Sequence, residues 1–111
     1  MIRYEELQSV LAGTGIAFAE GAWKRAGAME EDYGAYALDS TSSLMADGNH
    51  AERLMEGTID FFSLVGRGSA KARLIEEALD TVGVPWELNL PGRYEPDTRI
   101  THWEWIFQCL P

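Results

Sequence analysis

The chain is poor in cysteine, in histidine and in positive charge, and it has no long apolar run. One cysteine among 111 residues cannot form an internal disulfide, which fits a reducing compartment. Two histidines, His50 and His102, and that lone cysteine supply no recognisable metal-ligand cluster. No apolar stretch approaches the roughly 18–20 residues of a membrane span, so no membrane partner is expected. The start, Met1-Ile2-Arg3-Tyr4-Glu5-Glu6, is charged where a secretory signal is apolar; this predicts a chain that begins near Met1 and stays in the cytoplasm. Nine basic against eighteen acidic residues give a net charge of −9, a surface that repels phosphate backbones and disfavours nucleic-acid binding.

What is present is apolar and aromatic: 46% of residues are hydrophobic and twelve are Phe, Trp or Tyr, enough for one domain of residues 1–111 with a real core. The final dozen residues are the most telling. Trp103, Trp105, Phe107 and Cys109 share one parity, and His102, Glu104 and Gln108 the other, broken only by Ile106. Such period-2 alternation marks a strand with one dry face. Each tryptophan can cover ~150–250 Å² of partner surface, so this strand is expected to form a wall of the core and to leave no room for a tail. Cys109, on its apolar side, reads as a small buried hydrophobe.

Upstream, Tyr4, Leu7, Val10 and Leu11 predict a helix over 2–12, with Gly13 as a left-handed cap. Ile16–Ala19 and Tyr33–Leu38 read as strands, with Trp23-Lys24-Arg25 as a continuation of the first. The acids Glu30, Glu31 and Asp32 read as an exposed turn. Asp39–Ser43 favours local backbone bonds over a ladder. Leu44–Ala46 reads as a short strand before a turn at Asp47–His50. From Arg53 to Val65 the residues read as extended. Leu74, Ile75, Ala78, Leu79 and Val82 form the stripe of a second helix, with Ser69 as N-cap and Gly83-Pro85 as its stop. Trp86, Leu88 and Leu90 begin a strand, and Pro91–Asp97 is a connection. The order α-β-β-β-β-α-β-β predicts an α+β fold: two helices packed on a mainly antiparallel or mixed sheet.

Candidate chemistry is thin. Asp47-Gly48-Asn49 resembles the start of a calcium loop, but Glu52 holds the position that needs glycine and Thr58 the position of the closing acid. Gly66-Arg67-Gly68 ahead of a helix offers backbone N–H groups to an anion. It lacks the third glycine of a dinucleotide fingerprint, Lys71 standing there instead. Ser40–Ser43 has no neighbouring histidine or nucleophile elbow, and Glu76, Glu77 and Asp80 fall on a hydrated helix face. The expectation is a protein without catalytic residues, cofactor or metal.

Charge is unevenly spread. Residues 1–62 carry four basic and eleven acidic side chains, residues 63–111 five and seven. The second helix is also charged backwards for its dipole, with Arg67, Lys71 and Arg73 at its start and the acids toward its end, at ~0.3–1 kcal/mol per misplaced charge. Arg73 has Glu76 and Glu77 at helical spacing; Lys71 has Ile75 four residues on. The expected partners of this basic cluster are Glu30, Glu31, Asp32 and Asp47, in the same molecule or a neighbouring copy.

The stretch from Tyr36 through Asp39-Ser40-Thr41-Ser42-Ser43 and Ala46-Asp47-Gly48-Asn49-His50 to Glu52, then Gly57-Thr58-Ile59-Asp60-Phe61-Phe62, the second helix and His102-Trp103-Glu104-Trp105, resembles the tail completion or tail terminator-like (head–tail joining) proteins of long-tailed phages and prophages. The resemblance spans residues 33–110 in pattern and order. It implies a small domain with helices against a sheet, without catalytic residues, that assembles into a ring, usually a hexamer. It further implies docking to tail tube and head-connector proteins, and passage from host cytoplasm to virion. A head-to-tail ring needs two different complementary surfaces; the basic helix start and the acidic N-terminal half are expected to supply them, with the strand near Gly57–Leu64 or the terminal strand as an open docking edge. Two other readings remain: an acidic protein that sequesters a basic partner, as a nucleic-acid mimic or immunity-type inhibitor, and a small enzyme or small-molecule binder resting on the Gly66–Ser69 turn.

Overall fold

Alternation in three long segments and helical spacing in two decide the architecture. A computed structural model describes residues 1–21, 32–43, 53–64 and 68–111. Its elements are α1 (Tyr4–Ala12), β1 (Ala17–Glu20), β2 (Tyr33–Ser43), β3 (Arg53–Leu64), α2 (Ser69–Thr81), β4 (Trp86–Glu95) and β5 (Ile100–Cys109). The fold is α+β, and the five strands form one mixed sheet in the order β1-β2-β3-β5-β4. β1 runs parallel to β2 and every other pair is antiparallel. The short strand expected at Leu44–Ala46, the Asp47–His50 turn and the Trp23-Lys24-Arg25 continuation lie outside the described residues. No helix among those described is long and apolar enough to cross a membrane.

β5 organises the sheet. Its residues pair with β3 on one side (Ile59↔Trp105, Gly57↔Phe107) and with β4 on the other (Leu88↔Trp105, Trp86↔Phe107). Side chains alternate across a strand, so Trp105, Phe107 and Cys109 share a face with Ile59 and Phe61, and all five are fully buried. Both helices lie on that face. Leu7 and Leu11 of α1 and Ala72, Ile75 and Leu79 of α2 join the same core cluster. Burial also pushes the Cys109 thiol pKa up, as suits a packed hydrophobe.

Polar bonds fasten the helices. The indole N–H of the buried Trp105 donates to Glu76 Oε2 at 2.9 Å, and that of Trp86 to Asp80 Oδ1 at 2.7 Å. Glu76 and Asp80, expected as hydrated surface acids, instead hold α2 onto β5 and β4. The other helix is tied through its start: Tyr4 N–H donates to the Leu110 carbonyl and Leu110 N–H to the Ile2 carbonyl.

Several local expectations change. Gly13 is right-handed (φ −63), because Gly13, Thr14 and Gly15 continue the turn with bonds back to Ser9, Leu11 and Ala12; the left-handed residue is Gly15 (φ 80). Gly68, not Ser69, is the N-cap of α2. At φ 117 its backbone presses on Ser63, and a Cβ there would lie 2.6 Å from the serine side chain. Leu74 points outward and is 45% exposed; the apolar stripe is completed by Ala72. Asp39–Ser43 stays in the ladder, with a register shift between Leu38 and Ser40 and a cross-strand bond from the Thr58 hydroxyl to Asp39. β4 runs on through Pro91 and Gly92. The register shift between Leu90 and Arg93 absorbs them, and Gly92 lies under the Trp103 indole, where a Cβ would come within 2.9 Å. The chain turns only at Pro96–Arg99, with Arg99 left-handed. Neither strand expected as an open edge is one: β3 lies between β2 and β5, and β5 between β3 and β4, which leaves β1 and β4 as the edges.

Replacing Glu76 with alanine strands a buried indole N–H, and unfolding in urea should show a loss of about 1–3 kcal/mol. Glu76→Gln keeps an acceptor at that place and should lose much less. Equal losses in the two variants would show that the bond does not fasten the helix.

Candidate functional site

Two places bring polar side chains together. The first is the junction between the start of β2, the end of β3 and the first turn of α2. Asp32, 16% exposed, accepts from the Leu64 N–H at 3.0 Å, the Ser63 hydroxyl at 3.2 Å and the Lys71 ammonium at 3.0 Å. Burial alone would raise the pKa of this carboxyl; the Leu64 N–H, the Lys71 charge and the Ser63 hydroxyl outweigh it and hold it below the ordinary carboxylate range. Two residues of the expected interface thus meet inside one molecule. Asp32 is a structural junction and not an exposed turn, and its neutralisation of Lys71 offsets the unfavourable place of that cation at the N-terminus of α2. Arg67, Glu30, Glu31 and Asp47 lie outside the described residues, as do Gly66 and the start of the proposed anion turn. Among the described residues Arg73 makes no ion pair. It is exposed beside Leu74, and with Ser69, Ala70 and Glu77 these two line a shallow depression of about 270 Å³ on the outward flank of α2.

The second place is the face of the sheet opposite the helices, which no described helix covers. Strand register arranges it in rows. Tyr33, Phe62, His102 and Arg93 lie abreast on β2, β3, β5 and β4; the next row holds Ala35, Asp60, Glu104 and Leu90; the next holds Ala37, Thr58, Ile106 and Glu87. In the first row the rings of Tyr33 and Phe62 stack at 4.9 Å and those of Phe62 and His102 at 4.4 Å, nearly parallel at 17°. In the second, the carboxylates of Asp60 and Glu104 stand directly across from each other, an arrangement that destabilises a ladder unless something neutralises it. His102 Nε2 meets Asp60 Oδ1 at 2.7 Å and Asn89 Nδ2 donates to Glu104 Oε1 at 2.6 Å. Single ligand atoms of Asp60, His102 and Glu104 all lie within 4.8 Å of one another. At the far end Glu56, Glu87, Ile106 and Gln108 line, with Pro85 and Trp86, a depression of about 250 Å³.

The register brings His102 beside Asp60 and Glu104, while His50 lies outside the described residues. His102 and Glu104 were already legible as the polar parity of the last strand. Asp60 was legible as the polar parity of β3, but the register that joins them was not. No protein-family model matches the chain, and no curated protein matches it.

The junction predicts an acid-sensitive contribution to stability. Asp32 binds its proton less readily folded than unfolded, so its contribution is complete above the ordinary carboxylate value near ~4 and is lost as pH falls through the lower folded value. Chemical unfolding between pH 2 and 7 should therefore show a weaker acid dependence for Asp32→Asn than for the parent chain. At neutral pH Asp32→Ala should cost about 1–3 kcal/mol, since it strands the Leu64 N–H and Ser63 hydroxyl, and Lys71→Ala only about 0.2–1 kcal/mol, its ammonium being half exposed.

Proposed function

We propose that the chain is a structural protein of the phage tail completion type, which works by docking to copies of itself in a head-to-tail ring and to the tail tube and head connector around it. The observation that carries this reading is the two-sidedness of the molecule. The outward flank of α2 offers an exposed cation, unpaired among the described residues, and an exposed leucine, Arg73 and Leu74. The side of the sheet opposite the described helices offers two acids beside an apolar residue, Glu56, Glu87 and Ile106, around a shallow depression. A ring built by simple rotation requires two such unlike surfaces on every copy, and opposite charge sets their orientation. The α+β fold, with helices packed against a sheet, is also what the resemblance implies.

The contact differs from the one expected from sequence alone. Lys71 and Asp32 are occupied with each other, so Arg73 becomes the cation of the interface, and the acids opposite it come from the sheet. Arg73→Glu should weaken self-association about tenfold or more, read by sedimentation or by assembly on purified tail tubes, without loss of fold. Lys71→Glu should lower stability with a smaller effect on association. An unchanged size distribution and normal head–tail joining in Arg73→Glu would remove this interface. A gene lying away from any virion cluster would remove the phage reading. The rival occupant, a basic partner protein, would show as a salt-sensitive complex with that partner in a chain that does not self-associate.

A further inference from the structure

We propose that Asp60, His102 and Glu104 form a binding site for a divalent transition cation of the zinc type at the centre of the bare sheet face. The inference goes beyond the assembly reading and does not rest on it.

Three features of the face converge on it. The first is the donor set. One imidazole nitrogen and two carboxylate oxygens lie within 4.8 Å of one another, a nitrogen–oxygen combination that suits zinc and its first-row neighbours better than calcium or magnesium, which take oxygen ligands. The second is the charge. Register places Asp60 opposite Glu104, and a cation between them would convert a repulsive cross-strand pair into a chelate. The third is support from outside the triad. The nearly parallel Phe62 ring, 4.4 Å from that of His102, fixes the plane of the imidazole. Asn89 holds Glu104 Oε1 and leaves the other carboxylate oxygen to turn inward, the kind of outer contact that orients ligands in metal sites.

The geometry needs only a small adjustment. Tetrahedral zinc bound at about 2.0–2.2 Å holds its ligand atoms about 3.3–3.6 Å apart, so atoms that lie within 4.8 Å of one another here close in by side-chain rotation. The 2.7 Å contact between His102 Nε2 and Asp60 Oδ1 would open as the metal takes the place of the shared proton, so binding releases a proton when the imidazole carries one there. Three protein donors leave further positions toward solvent, filled by water.

The test is calorimetric titration of the chain, cleared of metal by a chelator, with Zn²⁺ and separately with Co²⁺, whose visible spectrum reports coordination. The expected result is saturable binding of one ion per chain and a rise in thermal midpoint. His102→Ala should lose it, Glu104→Gln should weaken it at least about tenfold, and Asn89→Ala should weaken it about 10–100-fold. Glu87→Gln, one row away, and His50→Ala should retain it. Because His102→Ala also removes a ring from the aromatic stack, circular dichroism of each variant checks the fold; Glu104→Gln keeps the shape of the side chain and carries the test by itself. The proposal is overturned by absence of saturable binding, by Mg²⁺ or Ca²⁺ binding as tightly as Zn²⁺, by binding that Glu104→Gln leaves undiminished, or by binding that disappears with His50→Ala.

Discussion

A tryptophan at the centre of a core must find a partner for its indole N–H, and much of this molecule is arranged around that need. Trp105 lies fully buried on the middle strand of β3, β5 and β4, and its N–H reaches Glu76 on α2. The bond sets where α2 sits along the sheet. That position puts Ala72, Ile75 and Leu79 into the core cluster that holds Phe61 and Ile59, and it brings Asp80 within reach of the Trp86 indole. One alternating strand thereby does two jobs: its odd residues build the dry core, and its even residues, His102 and Glu104 among them, build the polar face.

The same arrangement accounts for a helix that looks wrongly charged. Acids near the C-terminal end of a helix oppose its dipole, yet Glu76 and Asp80 are where the two indoles need acceptors. A hydrogen bond to a charged acceptor, such as that from the buried Trp105 indole to Glu76, is worth about 1.5–3 kcal/mol, more than the ~0.3–1 kcal/mol a misplaced charge costs. At the other end Asp32 supplies the negative charge that the first turn lacks. Of the cations placed at the helix start by sequence, Lys71 is spent inside the molecule, and Arg73 is left facing outward.

How much of this was legible in the sequence depended on distance along the chain. The parity of β5, the extended character of β3 and the span of α2 follow from neighbours two to four residues apart, and the structure has all three. Local reading failed where a non-local contact decides the conformation. Pro91-Gly92 reads as a turn, but the Trp103 ring over Gly92 keeps that segment in the edge strand. Ser69 reads as a cap, but the approach of Ser63 reserves the capping place for Gly68. Glu76 reads as hydrated, and only a partner 29 residues away shows otherwise. The face opposite the helices was half legible: His102, Glu104 and Gln108 were assigned to the polar parity of the last strand, while the meeting of Asp60 with His102, 42 residues on, required the register. The charge imbalance pointed to a cation in need of an acid. It did not show that Lys71 and Asp32 satisfy each other.

The central claim is that unlike surfaces of successive copies meet, α2 flank against bare sheet. Disulfide trapping between two singly substituted chains tests it most directly. Copies carrying Leu74→Cys are mixed with copies carrying Glu87→Cys under assembly conditions and mild oxidation; the native Cys109 is buried. The account predicts cross-links between the two kinds of copy and none within either population alone. Cross-links that form equally well among Leu74→Cys copies by themselves would contradict it, since they would mean that like surfaces meet.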